Sequence, residues 1–132
     1  MAISEFLHAL RELRVHHKGL VVPRISDFGH SQQVTVDANQ RVKIMFIDCA
    51  NTKIELLEPL GEESPVRNSL KKRAPLVHIC FEVERILDGI EILKSGGFVV
   101  VHAPADAIAF PGRKIAWLYH KDFGLFELLG HE

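Results

Sequence analysis

The chain states one pattern twice. Asn51-Thr-Lys-Ile-Glu-Leu-Leu carries one carboxylate, Glu55, into an apolar run, and Gly124-Leu-Phe-Glu-Leu-Leu-Gly repeats the outline with Glu127 in its place. Upstream of each, Val42-Lys-Ile-Met-Phe-Ile is echoed by Arg113-Lys-Ile-Ala-Trp-Leu. Further upstream, a strand-like stretch with His17 is echoed by one with His78. Glu55 and Glu127 are 72 residues apart and Lys43 and Lys114 are 71 apart, but His17 and His78 are only 61 apart. The first copy is therefore short by about ten residues between its first strand and Lys43, roughly 15 Å of α-helix.

Periodicity supplies the elements. Phe6, Leu7, Leu10 and Leu13 have helical spacing, with Ser4 as N-cap and Glu5 in the first turn. Strands are predicted over 15–22, 31–37, 42–48, 52–58, 76–83, 98–102, 113–119 and 124–129, with a helix over 84–95 that ends at Ser95-Gly-Gly. Pro23 to Gly29 is irregular, with room for one turn of helix, and 103–112 is a loop holding Pro104 and Pro111. Ser64-Pro65 suits the start of a short helix reaching about Lys72. The fold class is α+β: an N-terminal helix over 1–14, then one domain, 15–132, of two βαβββ modules (15–59 and 76–130) joined by the short helix. The first module lacks most of its crossover helix.

Strand parity gives the modules two unlike faces. Side chains alternate across a sheet. If His17, Glu55, His78 and Glu127 share one face, the other receives Leu20, Val22, Ile54, Leu56, Ile79, Phe81, Val83, Phe126 and Leu128, all apolar. One face packs on helices, and the other carries two imidazoles and two carboxylates. Leaving the first module's packing face bare exposes on the order of 400 Å² of apolar surface, about 10 kcal/mol at ~25 cal/mol/Å². The extra N-terminal helix is expected to cover it.

Composition excludes some partners. The net charge is −1 and no basic stripe is interleaved with aromatics, which argues against nucleic acid. No apolar run approaches a membrane span, and Met-Ala-Ile-Ser-Glu is not a signal sequence. Cys49 and Cys80 form no disulfide-scaffold pattern. A soluble, cytoplasmic protein is expected.

The paired module resembles the vicinal oxygen chelate (glyoxalase/bleomycin resistance/dioxygenase) superfamily. Within it the likeness is to the methylmalonyl-CoA epimerases, carried by His17-Lys-Gly-Leu-Val-Val, by 51–66, by Val77-His-Ile-Cys-Phe-Glu-Val and by Gly124-Leu-Phe-Glu-Leu. It spans about residues 15–129. The resemblance implies the vicinal oxygen chelate fold, with a divalent metal (Co, Ni, Mn or Zn) held by His17, Glu55, His78 and Glu127. Two imidazoles and two carboxylates suit such an ion. It also implies proton abstraction α to a thioester or carboxylate carbonyl, with Glu127 as base, an acyl-CoA or other small-molecule substrate, and a homodimer. The family's second base, a Glu before the third strand, corresponds to Asn39, whose amide accepts no proton; Asp37 lies two residues away on the same parity. Asn39 and Lys53 are candidate substrate contacts. The alternatives are a glyoxalase I-like lyase, which shares the His/Glu/His/Glu set, and a non-catalytic small-ligand or metal-binding protein on the same fold. A dioxygenase is disfavoured, because a facial triad needs two His and one carboxylate and the fourth ligand fills an open position.

Other polar residues are read more plainly. His16 faces away from His17 and is structural or on the surface. Glu58, of opposite parity to Glu55, is a solvated strand end. Lys53 shares the face of Glu55 and could pair with it. His30, His102 and His120 are surface residues, with His120 in a hairpin. Lys71-Lys-Arg is a solvated helix end that could meet coenzyme A phosphates, and Cys80, of the same parity as His78, could touch the cavity but is read as structural packing.

Overall fold

Alternation of apolar and polar positions builds the strands, eight among the described residues, and the residues between them decide how each sheet is covered. The computed structural model describes residues 3–29 and 33–131. The elements are α1 (Ile3–Arg11), β1 (Arg14–Val21), a 3-10 helix (Ile25–Phe28), β2 (Val34–Asp37), β3 (Val42–Asp48), β4 (Lys53–Pro59), α2 (Arg67–Lys71), β5 (Leu76–Val83), α3 (Ile86–Ser95), β6 (Val99–Asp106), β7 (Lys114–His120) and β8 (Gly124–Gly130). Two compact units result: His17–Val77, and Met1–His16 with His78–Glu132. His30 and the start of the predicted strand at 31 lie outside the described residues, as do the side chains of Ser4 and Glu5.

In the first unit the strand order is β2-β3-β4-β1, with β1 and β4 parallel and β2, β3 and β4 antiparallel neighbours. The residues of the missing crossover helix are replaced by the 3-10 helix. Its Ile25 is buried with Val22, Met45 and Leu56, and Leu20, Ile47 and Ile54 pack half-buried around them. Glu58 holds this helix in place, because its Oε1 accepts the Ile25 N–H at 2.8 Å. Lys43 Nζ lies 3.9 Å from the other oxygen. Glu58 is thus not the solvated strand end that parity suggests. Its side chain is 19% exposed and serves a backbone donor left over by a truncated helix.

In the second unit the order is β5-β8-β7-β6, with β5 and β8 parallel and β6, β7 and β8 antiparallel neighbours. Here a full crossover helix covers the sheet: Ile86, Ile90 and Leu93 of α3 pack on Phe81, Leu118 and Leu128. The N-terminal helix belongs to this same unit. Phe6, only 1% exposed, joins this core, with its ring centroid 6.0 Å from that of Phe98. A methyl group at Gly96 would overlap the Phe6 ring, so the glycine at the end of α3 makes the seat for α1. The expectation that α1 replaces the missing helix is corrected: it is an added layer on α3, and the first unit covers its face with its own 3-10 helix.

Two local expectations are also corrected. β6 runs through Pro104 to Asp106, where a loop was expected. It is an edge strand with register shifts at His102, and an edge tolerates a residue that donates no ladder hydrogen bond. Ser64 does not cap α2: Val66 precedes that helix, no side chain caps it, and Ser64 Oγ is buried without a hydrogen-bond partner among the described residues.

Arg113 ties the end of β8 to β5. Its Nε donates to the Gly130 carbonyl and its Nη2 to Glu82 Oε2, both at 2.8 Å. Burial pushes the Glu82 carboxyl up, but the Arg113 hydrogen bond and charge, with His16 and His131 nearby, outweigh it and hold the group below its ordinary 4.5. A depressed carboxyl stabilises the fold above its unfolded pKa, and that contribution is lost as the pH falls through the folded value. Glu82→Gln is expected to lower stability by roughly 1–2 kcal/mol at pH 7. In urea titrations from pH 7 to 3, the gap between wild type and variant should close below about pH 4.5.

Candidate metal centre

Each unit presents one histidine and one glutamate from parallel neighbouring strands. In the first, Gly19 of β1 is the register partner of Glu55 of β4, and His17 stands two residues before Gly19 on the same face. Gly19 contributes no side chain, which leaves the Glu55 carboxylate room to lean toward the imidazole. His17 Nε2 lies 3.4 Å from Glu55 Oε1. In the second, Cys80 of β5 is the register partner of Glu127 of β8, and His78 again stands two residues earlier. His78 Nε2 lies 3.2 Å from Glu127 Oε1. The repeat read in the sequence is therefore a repeat of geometry.

The burial of these groups limits what they can be doing. His17 is 0% exposed, Glu55 5%, His78 4% and Glu127 4%. Carboxylates are rarely buried so deeply unless a positive charge offsets the lost hydration. The separations also fit a shared ion. Two donors each about 2.1 Å from one metal, at 90–110° to each other, lie roughly 3.0–3.4 Å apart. Each pair, taken by itself, has the donor chemistry and spacing of two adjacent ligands.

The remaining candidates fall around these pairs. Lys53, of the same parity as Glu55, makes its ion pair with Asp48 rather than with Glu55. Asn39 is exposed in the turn between β2 and β3. Asp37, 1% exposed, accepts the Gln40 backbone N–H at 3.0 Å and its side-chain amide at 2.8 Å. The acid nearest Asn39 in sequence is thus committed to closing the turn. Cys80 is buried with Ala107, Ile115 and Leu129, and Cys49 is exposed. His16 packs edge-on against Phe110, with ring centroids 5.2 Å apart. His102 is exposed and its Nδ1 lies 2.9 Å from the Ala103 carbonyl. His120 Nδ1 accepts the Asp122 N–H at 3.0 Å and stiffens the β7–β8 hairpin. Of the Lys71–Arg73 run, Lys71 pairs with Glu62, and Arg73 adopts a positive φ of 55° where the chain leaves α2.

Comparison with known proteins finds a family match and several relatives. Residues 12–117 match the Glyoxalase/Bleomycin resistance protein/Dioxygenase superfamily. The chain is 35% identical over 121 residues to the ethylmalonyl-CoA/methylmalonyl-CoA epimerase of Cereibacter sphaeroides, covering 83% of this chain and 90% of that one. A solved structure of a hypothetical protein from Bacillus halodurans C-125 is similar, with TM-score 0.73, 28% identity and coverage of 92% of this chain and 96% of that one. The methylmalonyl-CoA epimerase of Mycobacterium tuberculosis shares the fold, with TM-score 0.74 at 20% identity over 89% of this chain and 87% of that one.

Proposed function

Because the chain belongs to the glyoxalase/bleomycin resistance/dioxygenase superfamily, we propose that it is a metal-dependent, epimerase-like enzyme that abstracts the proton α to the carbonyl of a small acyl thioester. The observation that carries this reading is the buried His–Glu pair repeated in both modules. We assign His17, Glu55, His78 and Glu127 as the ligands of one divalent ion; all four are buried and each offers one ligand atom. The relative at 35% identity is named for ethylmalonyl-CoA and methylmalonyl-CoA, which makes a 2-substituted malonyl-CoA the first substrate to test.

A bound divalent ion would supply Lewis-acid stabilisation of negative charge on the thioester oxygen. The proton chemistry belongs to the chain. Glu127 accepts the α-proton from a buried position on β8, 4% exposed. His78 Nε2 lies 3.2 Å from Glu127 Oε1, the separation of two ligands of the same ion. Inversion needs a second acid–base group that returns a proton to the opposite face of the planar intermediate. Asn39 provides none, and Asp37 has both carboxylate oxygens engaged by Gln40.

The test follows the α-proton. The metal-loaded protein is incubated with (2R)- or (2S)-methylmalonyl-CoA in D2O. Deuterium at the α-carbon is expected. Inversion along with exchange assigns a second base to the chain, and exchange with retention leaves Glu127 acting alone. Metal uptake without exchange from either epimer overturns the enzymatic reading in favour of a ligand-binding protein, the alternative that the Asn39 amide favours.

A further inference from the structure

Each His–Glu pair has an aromatic ring at the same place in its module. Phe46 of β3 is the register partner of Glu55, and Trp117 of β7 is the register partner of Glu127. Directly opposed residues of an antiparallel pair share a face, about 4.5–5.5 Å apart at Cβ. Both rings therefore stand on the face that carries the histidine and the carboxylate. Phe46 meets His17 edge-to-face, with centroids 5.4 Å apart and planes at 75°. Trp117 meets His78 with centroids 4.7 Å apart and planes at 88°. The local sequences differ, Ile-Met-Phe-Ile against Ile-Ala-Trp-Leu, yet the arrangement is the same.

We propose that Phe46 and Trp117 are positioning residues that set the planes of the His17 and His78 imidazoles and so aim each Nε2 at the carboxylate side of its pair. This inference rests on the metal-site reading for its consequence, but not for its geometry. The torsion that turns an imidazole about its Cβ–Cγ bond has broad, shallow wells, so nothing intrinsic to histidine fixes the ring plane. An edge-to-face neighbour supplies about 0.5–1.5 kcal/mol in one orientation. Ordering the ring before an ion arrives removes that cost from binding and is equivalent to a roughly 3–10-fold tighter Kd for each ring. Trp117, with the closer centroid and the more nearly perpendicular plane, has the larger effect.

The test uses Trp117→Ala, Trp117→Phe and Phe46→Leu in the full chain, each with its fold checked by circular dichroism. In metal-free protein, the side-chain nitrogen resonances of the histidines are read by NMR. Trp117→Ala is expected to shift and broaden those of His78 while leaving those of His17 in place, and Phe46→Leu to do the reverse. Unchanged histidine resonances in both variants would overturn the proposal. Co(II) titration by calorimetry gives the second reading. A Kd weakened roughly 3–10-fold in Trp117→Ala and restored by Trp117→Phe is expected, and an unchanged Kd contradicts the proposal. A wild-type chain that takes up no Co(II) refutes the metal reading and leaves the ring-plane proposal to be decided by the NMR arm. Trp117 is the sole tryptophan, so its emission should follow the wild-type Co(II) isotherm. Emission that ignores bound Co(II) counts against a ring at His78.

Discussion

Glu127→Gln is expected to slow α-proton exchange by about 10²–10⁴-fold, the usual share of a positioned proton acceptor. The substitution keeps the volume and the hydrogen-bonding shape of the side chain, so the buried strand face around it, 4% exposed at this position, stays filled. What it removes is the charge and the basic lone pair. The appropriate comparison is Glu58→Gln. Glu58 is a strand carboxylate too, in β4, but it lies on the helix-covered side of its sheet, where it accepts the Ile25 N–H. Glutamine keeps an acceptor for the Ile25 N–H but gives up the charge that strengthens the bond, which should cost about 1 kcal/mol of stability and leave the exchange rate per folded molecule unchanged. If the two variants lose exchange equally, Glu127 has no special part in the proton step.

The largest effect on stability is expected at Phe6. Its ring is buried against Phe98, Phe123 and the seat at Gly96, and truncation leaves a ring-sized cavity between α1 and α3. Phe6→Ala should cost about 3–5 kcal/mol in urea unfolding. Hydrogen exchange should then quicken first in α3 and in the β7–β8 strands behind it. Loss of protection centred instead on β1 and β4 would mean that α1 supports the first module, as its sequence alone suggested.

That contrast shows where sequence reading stops. Phe6, Leu10 and Leu13 define an apolar stripe, and the stripe is real, but a stripe specifies a face and not the surface that receives it. The site was more legible, because strand parity is strict. A period of two placed His17 and Glu55 on one face and Val22 and Leu56 on the other, as the two faces of the first unit are. The same rule misjudged Glu58, whose partner is a backbone amide 33 residues away in the one-turn helix between Pro23 and Gly29. It missed the aromatic partners as well, though the signal was present: Phe46 and Trp117 are 71 residues apart, the spacing of Lys43 and Lys114. Pro104 reads as a strand breaker because it lacks an N–H, and only the edge position of β6 makes that loss harmless.

The central claim is that two equivalent His–Glu pairs serve one ion. Native mass spectrometry of the Co(II)-loaded chain tests it by counting. One Co(II) per chain is expected in the wild type. A single loss in either module, Glu55→Ala or His78→Ala, should weaken uptake of that same ion alike, because each variant removes one of its four ligands. Two ions per wild-type chain, or full occupancy at wild-type affinity in either variant, would contradict the account.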